Sequence, residues 1–315
     1  MKRRLRILTW HVHGNYLYYL TQVPHDFYLV NDPSRTEHHS GRSGRLPWGD
    51  NVHDLPVEHV PISEFDVVIF QSRGEWERVQ HEILSEAQRR LPRIYIEHDP
   101  PQEHPTDTRH WVADPNVLLV HVTHFNRLMW DSGPTPTQVI EHGVLLLSDA
   151  RYSGHVRRGA VVVNNLPSRG RRLGLDVYRA VEQRVPLALY GMDSRAIGGE
   201  GEIENARLPD VMAAHRFFFN PIRYTSLGLA VVEAMMVGLP IVGLATTELP
   251  TVIRNGENGF VDTDLDTLVD CMQELLADAE LARRLGAAAR ATAQERFGID
   301  RFVADWQATL ARVAE

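Results

Sequence analysis

The chain has 315 residues, 43% of them apolar and 23% charged, and its 33 Lys and Arg against 41 Asp and Glu leave a net charge of −8 with neutral histidines. That composition is globular, the length is soft evidence for two domains, and the acidic balance argues against bulk nucleic-acid binding, which wants an excess of Lys and Arg. A lone cysteine, Cys271, excludes an internal disulfide and suits a reducing compartment, while no apolar run reaches the roughly 18 residues of a spanning helix.

In chain order, MKRRLRILTW puts a basic lip, Lys2, Arg3, Arg4 and Arg6, ahead of a first strand; its apolar part is too short for a signal peptide, so the cytoplasm is the expected location. The lip has two readings: peripheral contact with the anionic inner face of a membrane, or a solvated terminus. Apolar runs at 5–10, 27–30, 66–70, 93–97 and 116–121 read as buried parallel strands, with helical patterns near 15–21, 76–90 and 124–131. The segment 31–61 is rich in Pro, Gly, Ser, His and Arg and reads as a long excursion rather than a regular element. A second set follows: strands at 160–164, 186–190, 216–219 and 240–243, helices near 172–183, 207–214 and 227–237, then helices to the end with a break near Gly298. Cys271 falls on a helix face there, with Leu268, Met272, Leu275 and Leu276. Two alternating sets imply two doubly wound α/β domains, with the seam in the polar stretch 148–159.

Open α/β sheets bind ligands beyond the carboxyl ends of their strands. The stretch PIRYTSLGLAVVE, 221–233, is a strand end, a loop carrying Thr225, Ser226, Leu227 and Gly228, and a helix start at Leu229. First-turn amides lack internal partners and their dipole end attracts anions, so this loop is a candidate phosphate site. Glu233 sits in the apolar helix that follows, where a carboxylate is costly unless it is paired. It is a candidate acceptor of sugar or ribose hydroxyls, or else a buried, satisfied glutamate.

Downstream come Glu233-Ala234-Met235, Gly238-Leu239-Pro240, the run from Glu248 to Gly259, and LARRLGAAARATAQERF at 281–297. These resemble the motifs of the retaining family 4 glycosyltransferases (glycosyl transferases group 1), built on the GT-B fold. The resemblance is specific over 215–298 and collinear elsewhere. It implies two Rossmann-like doubly wound domains facing across a cleft: 1–152 for the acceptor, 153–298 for the nucleotide sugar, and a helix, 299–315, with Phe302 and Trp306, crossing back to the first domain. It implies sugar transfer from a nucleotide diphosphate sugar, UDP- or GDP-linked foremost, to a sugar-containing or lipid-linked acceptor, with no other cofactor and no metal.

By the same resemblance Glu233 holds the ribose. The family's first glutamate of the pair would stand at Thr225, which changes the contact to the donor sugar. Family members hold the diphosphate with an Arg and a Lys after the first strand of this domain; Asn165 stands at the Arg place here, and Arg169 and Arg172 in the following loop are the candidates, guanidinium being suited to bidentate phosphate binding. Gly14 matches the loop that approaches the donor phosphate. His98, before Asp99, matches the histidine that touches the donor sugar, with His104 second. Glu97, Glu103 and Asp107 add carboxylates for an acceptor hydroxyl. His142 in IEHGV is expected to be structural; His11 and His13 alternate at a strand end, with two readings, one of them facing the cleft or a packed histidine. Trp48, in the 31–61 excursion, is expected to stack on the acceptor. The histidine pairs 11/13 and 38/39 lack metal-ligand spacing. Two other readings remain: a non-catalytic nucleotide-sugar binder, which Thr225 and the altered loop favour, and a nucleotide-sugar epimerase on the same fold.

Overall fold

The computed structural model describes residues 3–36 and 38–315. By contacts the chain falls into two units, Met1–Gly143 with Ile299–Glu315, and Val144–Gly298. The first is a parallel sheet of β1 (Arg6–Thr9), β2 (Asp26–Asn31), β3 (Val52–Pro56), β4 (Val67–Phe70), β5 (Arg93–Glu97), β6 (Val117–His121) and β7 (Thr137–Val139), in the order β3-β2-β1-β4-β5-β6-β7. Its helices are α1 (Gly14–Leu20), α2 (Gln80–Ile83) and α3 (His124–Met129). Register pairs Ile7 with Phe27 and Ile94 with Leu118. The inner strands are apolar along their length because elements cover both faces; Trp10 stacks on Phe70 at 5.3 Å in this core. The winding reverses between β1 and β4, so the loops after those strands part there and leave a crevice.

Two expectations fail in this unit. The 31–61 excursion contains β3 and a 3₁₀ turn, Val57–Ile62. The strand VHDLP is an edge strand pairing only with β2, so it needs neither alternation nor a donor at Pro56. The helix expected over 76–90 stops at Ile83: a π-turn at Glu75–Val79 runs directly into α2, and a separate 3₁₀ turn spans Gln88–Arg90. Two reciprocal caps set the two starts. Glu75 N–H donates to Ser72 Oγ while Glu75 Oε2 accepts from Ser72 N–H; Gln88 N–H donates to Ser85 Oγ while Gln88 Oε1 accepts from Ser85 N–H. Each cap begins a new turn.

The second unit is a parallel sheet of β8 (Val156–Val162), β9 (Leu187–Tyr190), β10 (His215–Asn220), β11 (Ile241–Leu244) and β12 (Gly259–Asp262), ordered β12-β11-β10-β8-β9. Its helices are α4 (Leu166–Arg169), α5 (Leu175–Glu182), α6 (Leu208–Ala214), α7 (Leu229–Val237), α8 (Leu249–Val252), α9 (Leu265–Ala277) and α10 (Ala279–Phe297). β12 hides in the sequence behind its turn. Asn255 caps the strand by bonding both the N–H and the C=O of Val261, and Gly259 lies so close to β11 that a Cβ would meet Ile241 O at 2.2 Å. Cys271 is half-buried on α9.

The last helix, α11 (Ile299–Val313), belongs to the first unit. Phe302 packs where a Cβ on Gly143 would sit, 2.2 Å away, and meets Tyr16 edge-on; Trp306 and Leu310 are buried. Tyr152 N–H bonds Val237 O and Ser153 N–H bonds Ala213 O, so the chain before β8 packs on the second unit and the division falls at Gly143/Val144 rather than 152/153.

Candidate functional site

In the second unit the winding reverses between β8 and β10, and the loops after those strands are locked together. Asn165, left-handed at φ 55°, turns the chain after β8 into α4; a 3₁₀ turn, Gly170–Leu173, follows and ends at Gly174, φ 82°. A Cβ on Gly174 would lie 1.9 Å from Pro221 O, so only glycine lets the two loops meet. The Arg172 carbonyl accepts from Arg223 N–H at 3.1 Å and Tyr224 N–H at 3.2 Å. The Arg223 guanidinium forks onto Asp176 at 2.5 and 2.7 Å and, as the largest cause, holds that carboxyl down at about 2.

The same loop then runs through Thr225, half-buried, and Ser226 and Leu227, buried, to α7. Gly228 is the N-cap and offers no side chain to the first-turn amides. Helix α7 is apolar on every side except for Glu233, which is 6% exposed. The fold thus places Thr225, Ser226, Leu227, Gly228, Leu229 and Glu233 on one loop-and-helix segment and bonds the Arg172 backbone to its start. Arg169 is exposed at the end of α4. Glu248, by contrast, is a structural carboxylate: it is 1% exposed and accepts from Arg296 at 3.1 Å and Thr251 Oγ1 at 2.9 Å.

The remaining candidates, Gly14 and His98, lie in the first unit at its switch point. Gly14 begins α1, and a Cβ there would lie 3.1 Å from the His11 ring. His98 follows β5, packs against His13 at 4.2 Å between centroids, and meets Tyr16 edge-on at 4.6 Å. Gln71, just after β4, fixes its tautomer. The Gln71 amide nitrogen donates to Trp10 O at 2.9 Å and to Thr9 Oγ1 at 3.2 Å, so the amide oxygen faces His98 Nε2 at 3.3 Å. Nε2 therefore carries the proton, and Nδ1 is the ring's acceptor. Burial, helped by His13 and His142, holds the imidazole well below its ordinary pKa.

Gln71 is held in turn by Glu75, fully buried in the π-turn, whose Oε2 accepts from Gln71 N–H at 2.8 Å and Ser72 N–H at 3.1 Å. Burial pushes this carboxyl up to about 8 despite those bonds. On the other side of His98, Glu97 accepts from Asp99 N–H at 2.9 Å and from His110 Nε2 at 3.0 Å. Val112 N–H donates to His110 Nδ1, so His110 is neutral, and burial holds it at about 3.

These loops border a cavity of about 520 Å³ lined by His13, Gln71, Glu97, His98, Asp99 and Arg109, among others, with Tyr95, Trp111 and Trp130 as its aromatic wall. Glu103 lines it; Asp107 and His104 do not. Of the histidine pair, His13 lines the cavity, while His11 bonds Gly41 O at 2.8 Å and anchors the 31–61 segment. Trp48 packs on His11 and Tyr18 outside the cavity lining. His142 is buried beside Tyr16. Sequence reasoning missed Gln71, Arg109, Trp111 and Trp130. Gln71 carried a signal, a polar residue closing the buried strand VVIF; the others lie in irregular chain with none.

Of the basic lip, Arg3 pairs with Asp66, Arg4 with Asp26 at 3.1 Å, and Arg6 bonds Glu64 O; Lys2 lies outside the described residues. Among the described residues no three His, Cys, Asp or Glu side chains are grouped to hold a metal, and no helix is long and apolar enough to cross a membrane.

Two parallel doubly wound sheets, each with polar loops at its switch point, make the fold that of the GT-B glycosyltransferases. Among solved structures, sucrose-phosphate synthase from Thermosynechococcus elongatus superposes with a TM-score of 0.72 at 16% identity, covering 98% of this chain and 99% of that one. HepE of Anabaena, solved with UDP and glucose, gives 0.70 at 16% identity over 98% and 100%. Within that class, residues 176–278, inside the second unit, match the family described as glycosyl transferases group 1. A curated relative, N-acetyl-alpha-D-glucosaminyl L-malate synthase of Bacillus anthracis, is 34% identical over 84 residues, 26% of this chain and 22% of its own. Across five curated relatives the aligned stretch covers between 20% and 36% of the relative's length.

Proposed function

We propose that the chain is a retaining, metal-independent glycosyltransferase that moves a sugar from a nucleotide diphosphate sugar to a hydroxyl acceptor. The observation that carries this reading is the locked pair of loops in the second unit. Gly174 against Pro221 and the Arg172 carbonyl against Arg223 and Tyr224 join a basic loop to an uncapped helix start, one turn before a buried glutamate. In this reading Arg169, Arg172 and the amides at Leu227–Leu229 hold the diphosphate, where negative charge develops as the sugar leaves, and Glu233 accepts the ribose hydroxyls. Gly14 lets backbone approach the donor, and His98 accepts a donor-sugar hydroxyl at Nδ1. No nucleophile is assigned to the protein. The leaving phosphate oxygen takes the acceptor proton on the same face, and the residues position and stabilise charge. The UDP and glucose bound by HepE support a UDP-linked donor ahead of a GDP-linked one.

Thermal unfolding with UDP, GDP and ADP and their sugars, on wild type and Glu233→Ala, tests this. A ligand that binds the folded form raises the midpoint by RT ln(1 + [L]/Kd). One nucleotide series should stabilise wild type and lose much of that effect in the variant, and no shift from any of them at millimolar concentration sinks the donor assignment. Thr225 at the family's glutamate position favours one second reading, a nucleotide-sugar binder without turnover. Stabilisation by a nucleotide sugar with neither transfer nor hydrolysis across an acceptor panel would establish it.

A further inference from the structure

We infer that the cavity after β4 and β5 is the acceptor subsite and takes an uncharged sugar ring rather than a phosphorylated or carboxylated one. The inference rests on the transferase reading. Its volume, about 520 Å³, suits a small ligand. Two lining groups are built in but left without a partner. Asp99 is pinned through its backbone, N–H to Glu97 Oε1 at 2.9 Å and C=O from Trp130 Nε1 at 2.8 Å, yet its carboxylate makes no hydrogen bond or ion pair among the described residues. Arg109 is held by a backbone bridge to Asp131, and its guanidinium lies over Gly133, where a Cβ would sit 2.7 Å from Nη2; it too makes no side-chain bond among the described residues. A carboxylate and a guanidinium, each with two in-plane polar atoms, match vicinal hydroxyls. Tyr95, Trp111 and Trp130 supply the apolar surface that the C–H face of a sugar needs.

Charge decides the ligand's class. The lining carries the carboxyl groups of Glu77, Glu97, Asp99 and Glu103 against two arginines. Arg73 is spent on Glu77 at 2.9 Å and lies over the Trp111 ring. A phosphate would meet one uncommitted cation and the carboxylates of Asp99 and Glu103, a like-charge contact that discriminates against it. A neutral hydroxylated ring incurs no such repulsion. His98 and His13 line the same cavity, so the acceptor hydroxyl would reach the histidine assigned to the donor sugar.

The test is saturation-transfer NMR on the full chain with saturating UDP, comparing methyl α-glucoside and methyl α-mannoside with glucose 6-phosphate and mannose 6-phosphate. The neutral glycosides should bind and the phosphates bind less. Asp99→Asn and Arg109→Met should each weaken the glycoside about ten- to hundredfold, the loss of one charge-assisted hydrogen bond, with the UDP thermal shift unchanged. Asp99→Asn leaves the backbone pins in place, and the wild-type comparison needs no variant. Equal or tighter binding of the phosphates overturns the inference, as does binding of UDP without any glycoside. If no nucleotide binds, the transferase reading fails with it, and glycoside binding alone would then mark a sugar site of another kind.

Discussion

The contact between Gly174 and Pro221 can be broken by one atom. Gly174, at φ 82° and ψ 31°, and Gly198, at φ 87° and ψ 11°, are both left-handed, so alanine at either incurs a backbone cost of about 1–2 kcal/mol. The surroundings differ: a Cβ at Gly198 meets nothing within 4 Å, whereas at Gly174 it lies 1.9 Å from the Pro221 carbonyl. Real contacts stay beyond 3.0 Å, so the loops must part by at least 3.0 − 1.9 = 1.1 Å. Overpacking against backbone adds about 1–3 kcal/mol. Gly174→Ala should therefore cost about 2–5 kcal/mol and Gly198→Ala about 1–2. For a unit this size that separates their midpoints by roughly 2–4 °C per kcal/mol of difference. Under the proposed function, a displacement near 1 Å at this loop should also weaken nucleotide binding about tenfold or more in Gly174→Ala alone. Scanning calorimetry with and without nucleotide reads both effects. Equal behaviour of the two variants would refute the claim that the loops are locked through this glycine.

Glu233→Gln should cost the bound nucleotide about 1.5–3 kcal/mol, the worth of hydrogen bonds to a charged group, a ten- to hundredfold rise in Kd by calorimetry; an unchanged Kd returns Glu233 to a structural role. Gln71→Leu strands the Trp10 carbonyl and the His98 N–H, so stability should fall by about 2–4 kcal/mol and kcat should drop more than nucleotide affinity; a purely structural Gln71 would lower neither once the fold is intact. Glu75, raised from 4.5 to about 8, stabilises the fold below pH 4.5 and loses that contribution as pH rises through 8. Glu75→Gln should therefore gain on wild type by about 1.4 kcal/mol per pH unit at most inside that window. Parallel stability–pH curves from pH 5 to 9 would show that Glu75 titrates normally.

The buried strands were legible because a parallel sheet covered on both faces demands continuous apolar runs, which RILT, VVIF and IVGL supply. The edge strands VHDLP, TQV and GFVD were not, since an edge needs no such run and pairing depends on residues far along the chain. The Thr225–Glu233 segment was legible because the loop and helix are contiguous. Gln71 and Arg109 were not, since the residues they lie against, His98 and Gly133, are set by topology. The helix over 76–90 misled because period reports a face, whereas the caps at Ser72/Glu75 and Ser85/Gln88 decide where each turn starts.

The state of His98 constrains the chemistry left to it. A histidine acting as general acid or base needs a pKa near the working pH. Here the Gln71 oxygen fixes the proton on Nε2, and burial beside His13 and His142 keeps the ring neutral well below its ordinary range. A neutral ring whose proton is already committed offers one lone pair at Nδ1, so under the proposed function its part is to accept a hydroxyl and orient it without gaining or losing a proton in turnover. The rate should then show no limb from His98 near pH 6.5, and His98→Asn, which keeps a polar group there, should lower kcat while leaving the shape of the pH profile unchanged. If wild type shows an acidic limb between pH 6 and 7 that His98→Asn abolishes, His98 exchanges a proton in turnover, and the tautomer set by Gln71 is not the working one.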